Sequence, residues 1–359
     1  MQLRTGVGVV ELTVLHGQDR GDQHWGCPIR ERWGLRAHQE LSPWLEEKLA
    51  FTATATNSYE EAAAVAAKWG SGVEASTIHA LIQRLGQEAE EKTRQRLETV
   101  PELLWPQRKA SELAVFQLDG WLVRQRGPGW GKKKTKKKRV DWHELRMGVF
   151  YLIEQASEVN GRGILHEKVV VSWQGETLEL GRRLHWEALR RGFAAAKWVV
   201  VVADGAEWIW NVKADRWADA TEILDFYHAS EHLWALGRAL YDEERAKAWV
   251  ELRLHRLRHG KEEQVLEEIA ALKVQKGERG EVVRKNKVYF AGQAERMHYQ
   301  KFARRGWPIG SGAVESSCRQ KQCRFKRCGQ FWTEAGLRHL GAVIEARHNG
   351  HWHELSFAT

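Results

Sequence analysis

The spacing of apolar residues divides the chain into a helical amino-terminal part and a strand-rich central part. Residues 1–40 alternate only weakly and predict a small β-rich segment. In the region that follows, 41–105, a capping box at Ser58–Glu61 begins a helix and the glycines of Gly70–Gly72 end it. A second helix is predicted from Ser76, with apolar residues at i, i+3, i+4 and i+7: Ile78, Leu81, Ile82 and Leu85.

The two helices and their glycine-containing turn, at about 58–86, have the length and polarity of a DNA-binding helix-turn-helix. Away from its apolar face, the second helix would present side chains that can reach base edges and phosphates. These candidate DNA-binding residues are Thr77, His79, Gln83 and Arg84. A plain αα-hairpin with a solvated face fits the same pattern.

The pattern then changes to that of strands. Apolar runs occupy 113–123, 144–153 and 169–173, followed by a helical stretch at 175–197, an uninterrupted apolar run at 199–203 and a short strand at 222–224. An uninterrupted run is typical of a strand buried on both faces, which is central in a sheet covered by helices. Residues 111–228 therefore predict an α/β fold with a mixed sheet.

Residues 229–305 have a helical, heavily charged pattern that is too long for a simple crossover. We expect an all-helical insertion at this point. The remaining residues, 306–359, would complete the core with a glutamate-bearing helix and a basic carboxy-terminal segment.

The positive charge of the chain is concentrated in one short window. Among 359 residues, 43% are hydrophobic, enough for a sizeable core, and the formal net charge is +9. Seven positive charges fall within eight residues: Lys132, Lys133, Lys134, Lys136, Lys137, Lys138 and Arg139. Outside this window, 49 basic residues nearly balance 47 acidic ones. Such a window is suited to a polyanion, either nucleic acid or an anionic membrane surface, although many charge runs are merely solvated loops.

Other features favour a cytoplasmic protein. Four cysteines are too few for a disulfide framework in a chain of this length, which favours a reducing compartment. The first twenty residues do not have the pattern of a secretion signal, and no stretch approaches the roughly 18 apolar residues of a membrane span. We therefore expect no membrane partner.

Two aspartates lie in strand-like apolar stretches, where an unpaired carboxylate costs several kcal/mol. Asp119 lies within Leu113–Val123, and Asp204 follows the uninterrupted run, at the edge where open α/β sheets place their active sites. Each aspartate has a structural alternative. Asp119-Gly120 is also a hairpin-turn signal, and Asp204 with Glu207 also fits a helix capping pattern.

Glu315 is the third candidate acid, in the first turn of a helix that follows Gly310-Ser311-Gly312. An acid at that point can simply favour the helix dipole or pair with Arg319. Taken together, however, Asp119, Asp204 and Glu315 could converge to bind two divalent cations about 3.5 to 4 Å apart, as in enzymes that cleave or transfer phosphodiesters. Carboxylate ligands favour Mg²⁺ or Mn²⁺.

Other chemistry is less well supported. The three late cysteines are spaced by five residues, about 140° apart on a helix, so they do not share the face that a zinc site needs. There is no nucleophile elbow of the G-x-S-x-G type and no P-loop spacing. Asp225 lies three residues before His228 and could either orient its imidazole or cap a helix.

Several blocks of the sequence resemble the bacterial insertion-sequence transposases of the DDE type, and specifically the ISKra family. They are Phe116–Gly120, Ala203–Trp210, Ile223–Leu233, Arg296–Phe302, Trp307–Arg319 and Ala346–Leu355. The resemblance implies an RNase H-like core with Asp119, Asp204 and Glu315 as metal-binding acids, and a helical insertion before the third. It also implies a supporting role for Asp225 and His228, which fit a signature shared with Mutator-like transposases.

A transposase would bind double-stranded DNA, both the terminal inverted repeats of its element and the target, and we expect a homo-oligomer on DNA. Five basic residues after Glu315 would follow the phosphates: Arg319, Lys321, Arg324, Lys326 and Arg327. The lysine-rich window, longer and more basic than is usual in the family, would contact target or flanking DNA. A structure-selective nuclease of the same fold and a non-catalytic DNA-binding relative are the alternatives.

Overall fold

The computed structural model describes residues 1–18, 21, 23, 25–36, 39–99, 111–128, 130, 139–159, 162–274 and 276–357. Its strands are β1 (Gln2–Thr5), β2 (Gly8–Glu11), β3 (Gly17–Gln18), β4 (Trp25–Gly26), β5 (Ser111–Arg126), β6 (Val140–Leu152), β7 (Ala156–Val159), β8 (Arg162–Leu165), β9 (Val169–Trp173), β10 (Ala196–Ala203) and β11 (Thr221–Leu224). None of the helices in these residues combines the length and apolar character needed to cross a membrane.

The α-helices cover most of the remaining described residues. They are α1 (Pro28–Arg32), α2 (Pro43–Ala55), α3 (Tyr59–Lys68), α4 (Ala75–Glu98), α5 (Thr177–Arg190), α6 (Glu207–Arg216), α7 (Phe226–Leu240), α8 (Glu243–Arg258), α9 (Glu262–Ala270), α10 (Glu278–Gly292), α11 (Tyr299–Arg304), α12 (Gly312–Phe325) and α13 (Glu334–His348).

The contacts divide the chain into two compact units. Unit 1 comprises Met1–Val100, Leu122–Glu144 and Arg319–Thr359, and unit 2 comprises Pro101–Trp121 and Leu145–Cys318. The predicted carboxy-terminal segment 306–359 is therefore divided between the units. This segment was expected to complete the catalytic core. Its residues from Arg319 onward belong to unit 1 instead, where α13 packs on α4.

Unit 2 is built on a five-stranded mixed sheet in the order β11-β10-β5-β6-β9. Strand β10 is parallel to both β5 and β11, whereas β6 and β9 are antiparallel. In chain order β5 is the first strand of this sheet, and it lies at the centre. Strands β6 and β9 lie on one side of it, and β10 and β11 lie on the other. This is the RNase H-like arrangement, and it confirms the predicted mixed-sheet core.

Helices α5 and α6 cover one face of this sheet. Leu184 and Val212 of the helices are buried in one cluster with Phe116, Phe150 and Val201 of the sheet. The helix predicted over 175–197 is shorter in the structure, because α5 ends at Arg190 and Gly192 takes a left-handed conformation with φ 88°. The residues from Ala196 onward already belong to β10.

The predicted helical insertion is confirmed over the described residues. Helices α7 to α11 follow β11 and form a hydrophobic cluster of their own, which includes Leu233, Val250, Leu257, Val283 and Phe290. The insertion begins slightly earlier than predicted, at the start of α7, because the chain enters a helix directly after β11.

Unit 1 contains the predicted β-rich segment and helical pair. Strands β1 and β2, and likewise β3 and β4, form short antiparallel hairpins. Helices α2, α3 and α4 pack together, and the four predicted apolar residues of α4 are buried. At Gly86, a Cβ atom would lie 2.4 Å from His339 of α13, so only glycine permits this close approach. The longest helix of the described residues, α4, is thus covered on one side by the carboxy-terminal helix.

Candidate active site

Three aspartates form a row at the carboxyl edge of the parallel strands. Ala203 of β10 pairs with Leu118 of β5 on one side and with Leu224 of β11 on the other. Asp119, Asp204 and Asp225 immediately follow these three residues, at the roughly 4.8 Å spacing of neighbouring strands. The register therefore brings together two of the predicted catalytic acids and one of the predicted supporting residues.

Asp119 lies inside β5, which continues to Arg126, so the alternative of a hairpin turn at Asp119-Gly120 is wrong. The carboxylate Oδ1 accepts a hydrogen bond from the backbone N–H of Gly120 at 2.7 Å. Burial raises the pKa of Asp119, and the negative charge of Asp204 raises it further. Hydrogen bonds from Gly120 and Cys318 and the charge of His228 act in the opposite direction. The site thus contains two carboxylates that repel each other, one of them largely desolvated.

Asp204 precedes α6 without capping it. The N-cap residue of α6 is Ala206, so the capping alternative for Asp204 is also wrong. Instead, Oδ1 of Asp204 accepts a hydrogen bond from the backbone N–H of Ala206 at 2.9 Å, which closes a tight turn. At the centre of this turn Gly205 has φ 98°, a conformation that favours glycine.

Asp225 is fully buried and caps α7. Its Oδ1 accepts hydrogen bonds from the backbone N–H groups of Tyr227, at 2.5 Å, and His228, at 3.0 Å. Its Oδ2 accepts another from the backbone N–H of Ser311. Of the two roles predicted for Asp225, the structure shows the cap, and it adds a link to the residues just before α12.

His228 lies close enough to Asp119 for its positive charge to lower the pKa of that carboxyl group. Its Nδ1 is 3.6 Å from a carboxylate oxygen of Glu231 on the next turn of α7. The imidazole is partly exposed. It is therefore placed to interact electrostatically with the acidic edge of the sheet.

Gln117 joins the start of α12 to β5. Its buried Oε1 accepts hydrogen bonds from the backbone N–H groups of Ala313 and Val314, both at 3.1 Å, and its Nε2 donates to the carbonyl of Gly310 at 3.1 Å. Sequence reasoning assigned Gln117 no role. The signal was a single amide within an otherwise apolar run, two residues before Asp119.

Glu315 lies in the first turn of α12, where its Oε1 accepts a hydrogen bond from the hydroxyl of Ser311 at 3.0 Å. Cys318, which donates to Asp119, is three residues further along the helix and hence on the same face. The helix that carries Glu315 is thus anchored to β5 at Gln117 and contacts Asp119 one turn later.

The donor chemistry of Asp119 and Asp204 fits a divalent cation. Both provide the hard oxygen ligands that Mg²⁺ and Mn²⁺ prefer, and a cation between them would offset their repulsion. Among the described residues, however, no group of three or more histidine, cysteine, aspartate or glutamate side chains has the arrangement of a metal site. Asp119, Asp204 and Glu315 therefore remain predicted metal ligands.

The helical insertion also reaches this edge of the sheet, through two residues of unit 2 that sequence reasoning missed. The hydroxyl of Tyr289 donates to the backbone carbonyl of Asp204 at 2.8 Å, and Nε2 of Gln293 donates to the carbonyl of Gly205 at 3.0 Å. Both partners are backbone atoms, so no side-chain pattern could have revealed them.

The four candidate DNA-binding residues of α4 differ in accessibility. His79 is exposed, with its ring edge-on to Tyr59, and Thr77 is partly buried. Oε1 of Gln83 instead pairs with Nδ1 of His339 at 2.9 Å. Arg84 forms an ion pair with the buried Glu46 at 2.7 Å. All four side chains were predicted to lie away from the apolar face of α4 and to be available to DNA, but Gln83 and Arg84 make contacts within unit 1 because α4 is covered on more than one side.

The five basic residues after Glu315 also separate into two groups. Lys321 is buried and pairs with Glu345 at 2.9 Å, and Arg324 is buried with its guanidinium 4.8 Å from the ring centre of Tyr59. The residues with exposed side chains are Arg319, Lys326 and Arg327. The prediction that all five follow the phosphates is wrong for Lys321 and Arg324, because they lie three residues apart on the packed face of α12.

The lysine-rich window lies mostly outside the described residues. This applies to Lys132, Lys133, Lys134, Lys136, Lys137 and Lys138. Arg139 is described and exposed, and its Nε pairs with the carboxylate of Asp141 at 3.0 Å. The DNA-contacting role of the window stays a prediction.

Comparison with known proteins adds a similarity at the level of structure. No protein-family model matches the chain, and no curated protein does so either. Among solved structures, the chain is similar to one titled "Drosophila P element transposase strand transfer complex", with 11% sequence identity and a TM-score of 0.41, over 89% of this chain and 95% of that one. At that level the similarity identifies neither a family nor an activity.

Proposed function

We propose that the protein is a DNA transposase of the DDE type, as its resemblance to the ISKra family implies, which cleaves DNA at the ends of an insertion sequence and joins them to a target. The observation that carries this proposal is the edge of the sheet in unit 2. There Asp119 and Asp204 follow paired residues of adjacent parallel strands, and Gln117 anchors the helix that bears Glu315.

In this proposal Asp119, Asp204 and Glu315 hold two Mg²⁺ or Mn²⁺ ions. When bound, such ions activate a water or 3′-hydroxyl nucleophile and stabilise the leaving oxygen of the phosphodiester. The chain itself orients the ligands. Gly120 and Cys318 donate to Asp119, and the backbone N–H of Ala206 holds Asp204. Because no covalent intermediate is required, the chain needs no serine or tyrosine nucleophile.

DNA would be held by the helical pair α3 and α4 and by basic side chains. We propose that the accessible residues Thr77 and His79 contact the terminal inverted repeats, while Arg319, Lys326 and Arg327 contact phosphates. The lysine-rich window would contact target or flanking DNA. A homo-oligomer assembled on two element ends would allow both ends to be joined together.

A joining assay tests the proposal. Purified protein is incubated with Mg²⁺, labelled DNA carrying the inverted repeats that flank the gene, and a supercoiled plasmid. We expect labelled DNA to become covalently joined to the plasmid, and Asp204→Asn to abolish joining. Cleavage without joining would instead favour a structure-selective nuclease. Binding with neither reaction, under Mg²⁺ or Mn²⁺, would favour a non-catalytic DNA-binding protein.

A further inference from the structure

We infer that the helical insertion positions the second catalytic aspartate, and that Tyr289 and Gln293 are the positioning residues. The inference rests on the proposed function for the meaning of Asp204, but the contacts that carry it stand independently. Both residues are provided by the insertion, at α10 and directly after it, and both hold main-chain atoms of the turn that begins at Asp204.

Tyr289 is held in a fixed orientation. Its ring stacks on the imidazole of His232 in α7, with centroids 3.6 Å apart and planes 13° from parallel. Nδ1 of His232 is 2.6 Å from Oδ1 of the buried Asn286, whose Nδ2 donates to the carbonyl of Val282 at 2.8 Å. The ring therefore cannot turn freely, and its hydroxyl stays directed at the carbonyl of Asp204.

The side-chain amide of Gln293 is held in place through its oxygen, while its nitrogen donates to Gly205. Only 8% of the residue is exposed. Its Oε1 accepts a hydrogen bond from Nη1 of Arg296 at 2.9 Å, and Arg296 in turn pairs with Glu222 of β11. The same guanidinium lies 4.5 Å from the ring centre of Trp210 in α6. The amide of Gln293 thus links the insertion to the sheet as well as to the turn.

The turn needs such support because it lies between two regular elements. The sheet pairing of β10 ends at Ala203 and α6 begins at Glu207, so the carbonyls of Asp204 and Gly205 lie outside both elements. Gly205 has the conformational freedom of glycine, with φ 98°. If its carbonyl partners are removed, the turn can reorient, and the Asp204 carboxylate reorients with it.

The decisive variant is Tyr289→Phe, which removes the hydroxyl and keeps the ring stacked on His232. The matched control is Tyr299→Phe in α11, because the buried hydroxyl of Tyr299 has no hydrogen-bond partner among the described residues. A second variant, Gln293→Glu, removes the donor to Gly205 and keeps an acceptor for Arg296. All three variants should remain folded, which a cooperative thermal unfolding transition checks.

We expect Tyr289→Phe and Gln293→Glu to lower the single-turnover rate of DNA cleavage about 10- to 100-fold in Mg²⁺, the range for partners that orient metal ligands. The dissociation constant for end DNA should not change. The Mg²⁺ concentration for half-maximal rate should rise, and Mn²⁺ should partly restore the rate. Tyr299→Phe should remain within twofold of the wild type in every measurement.

Hydrogen exchange at the amide of Ala206 tests the positioning without any activity. It should be faster in Tyr289→Phe and Gln293→Glu than in the wild type or Tyr299→Phe. If the wild type does not cleave DNA, the proposed function fails while the exchange data still decide whether the insertion holds the turn. Unchanged cleavage and unchanged exchange in both variants would overturn the inference.

Discussion

The acids at the edge of the sheet and the five basic residues after Glu315 were both predicted to be functional, and the structure places the two sets differently. Asp119 lies within β5 and Asp204 directly follows β10, at the point where the parallel pairing of the two strands ends, and neither has the structural role that was its alternative. Of the five basic residues, by contrast, Lys321 and Arg324 are buried in contacts within unit 1. The type of charge, and the element that carries it, decided how specific each signal was.

The difference has a physical cause. A carboxylate is short and strongly hydrated, so within an apolar strand it is costly unless something binds it. Lysine and arginine have long apolar stems, and arginine also stacks on aromatic rings, so they can be buried for packing. A basic residue on an amphipathic helix is therefore weak evidence of a phosphate contact. An acid in or directly after a buried strand needs a partner, which is the start of α7 for Asp225 and is proposed to be a metal ion for Asp119 and Asp204.

The largest effect is expected at the acidic edge. Asp119→Asn and Asp204→Asn should each lower metal-dependent DNA cleavage at least about 1,000-fold, because each removes the negative charge of a proposed metal ligand. Binding of end DNA, measured by gel shift in Ca²⁺, should change less than twofold. Asp219→Asn, at an exposed aspartate of unit 2, provides the control and should cleave as the wild type does. Appreciable cleavage by either variant would remove the proposed active site.

A smaller effect is expected at Gln117, which anchors the Glu315 helix. In Gln117→Ala the backbone N–H groups of Ala313 and Val314 lose their acceptor, and leaving such buried groups unsatisfied costs about 1–3 kcal/mol. We expect the free energy of unfolding to fall by about that amount in urea titrations, and cleavage to fall about tenfold or more. Ser316→Ala, at an exposed position on the same helix, is the control. Full stability together with full activity would show that the anchor is dispensable.

The sequence predicted those elements of the fold whose apolar residues stand out clearly from the polar residues around them. The uninterrupted run at 199–203 identified the central strand because both faces of β10 are covered there, and the insertion was predicted from its helical period. Strands β5 and β6 extend beyond the predicted ranges, to Arg126 and back to Val140, since their distal residues are partly polar and resemble a loop.

The candidate site was predictable only where a residue is chemically unusual for its place. Asp119 and Asp204 met that condition. Tyr289 did not, because a tyrosine in an amphipathic helix is ordinary and its partner is a backbone carbonyl 85 residues away in the chain. Arg84 shows the opposite error, since its partner Glu46 lies on another helix and the periodicity of α4 alone could not reveal it.

Two variants, one at a buried and one at an exposed arginine, distinguish basic residues that stabilise the fold from those proposed to bind DNA. Arg324→Ala removes a buried guanidinium packed against Tyr59 and Trp332, and should lower the free energy of unfolding by about 1–3 kcal/mol. Arg327→Ala, at an exposed residue, should leave stability within about 0.5 kcal/mol. Arg327→Ala should weaken DNA binding several-fold. It should also reduce the slope of the logarithm of affinity against the logarithm of salt concentration by about one. If Arg324→Ala weakens DNA binding while leaving the melting temperature unchanged, the assignment of the two residues is reversed.

The smallest effect is a pH dependence of DNA binding at His79. Partial burial, then the positive charge of Arg126, lower the pKa of this imidazole, and the ring of Tyr59 lies edge-on to it. A DNA phosphate beside His79 would raise its pKa again, so binding would take up a proton and affinity would increase as the pH falls. We expect end DNA to bind about two- to threefold more tightly at pH 6 than at pH 7.5. This change is smaller than the largest change in affinity that the uptake of a single proton allows. His79→Gln should remove this dependence, whereas His259→Gln, at an exposed histidine of the insertion, should keep it. An equal slope in wild type and His79→Gln would place His79 away from the DNA, and would leave Thr77 as the accessible candidate on α4.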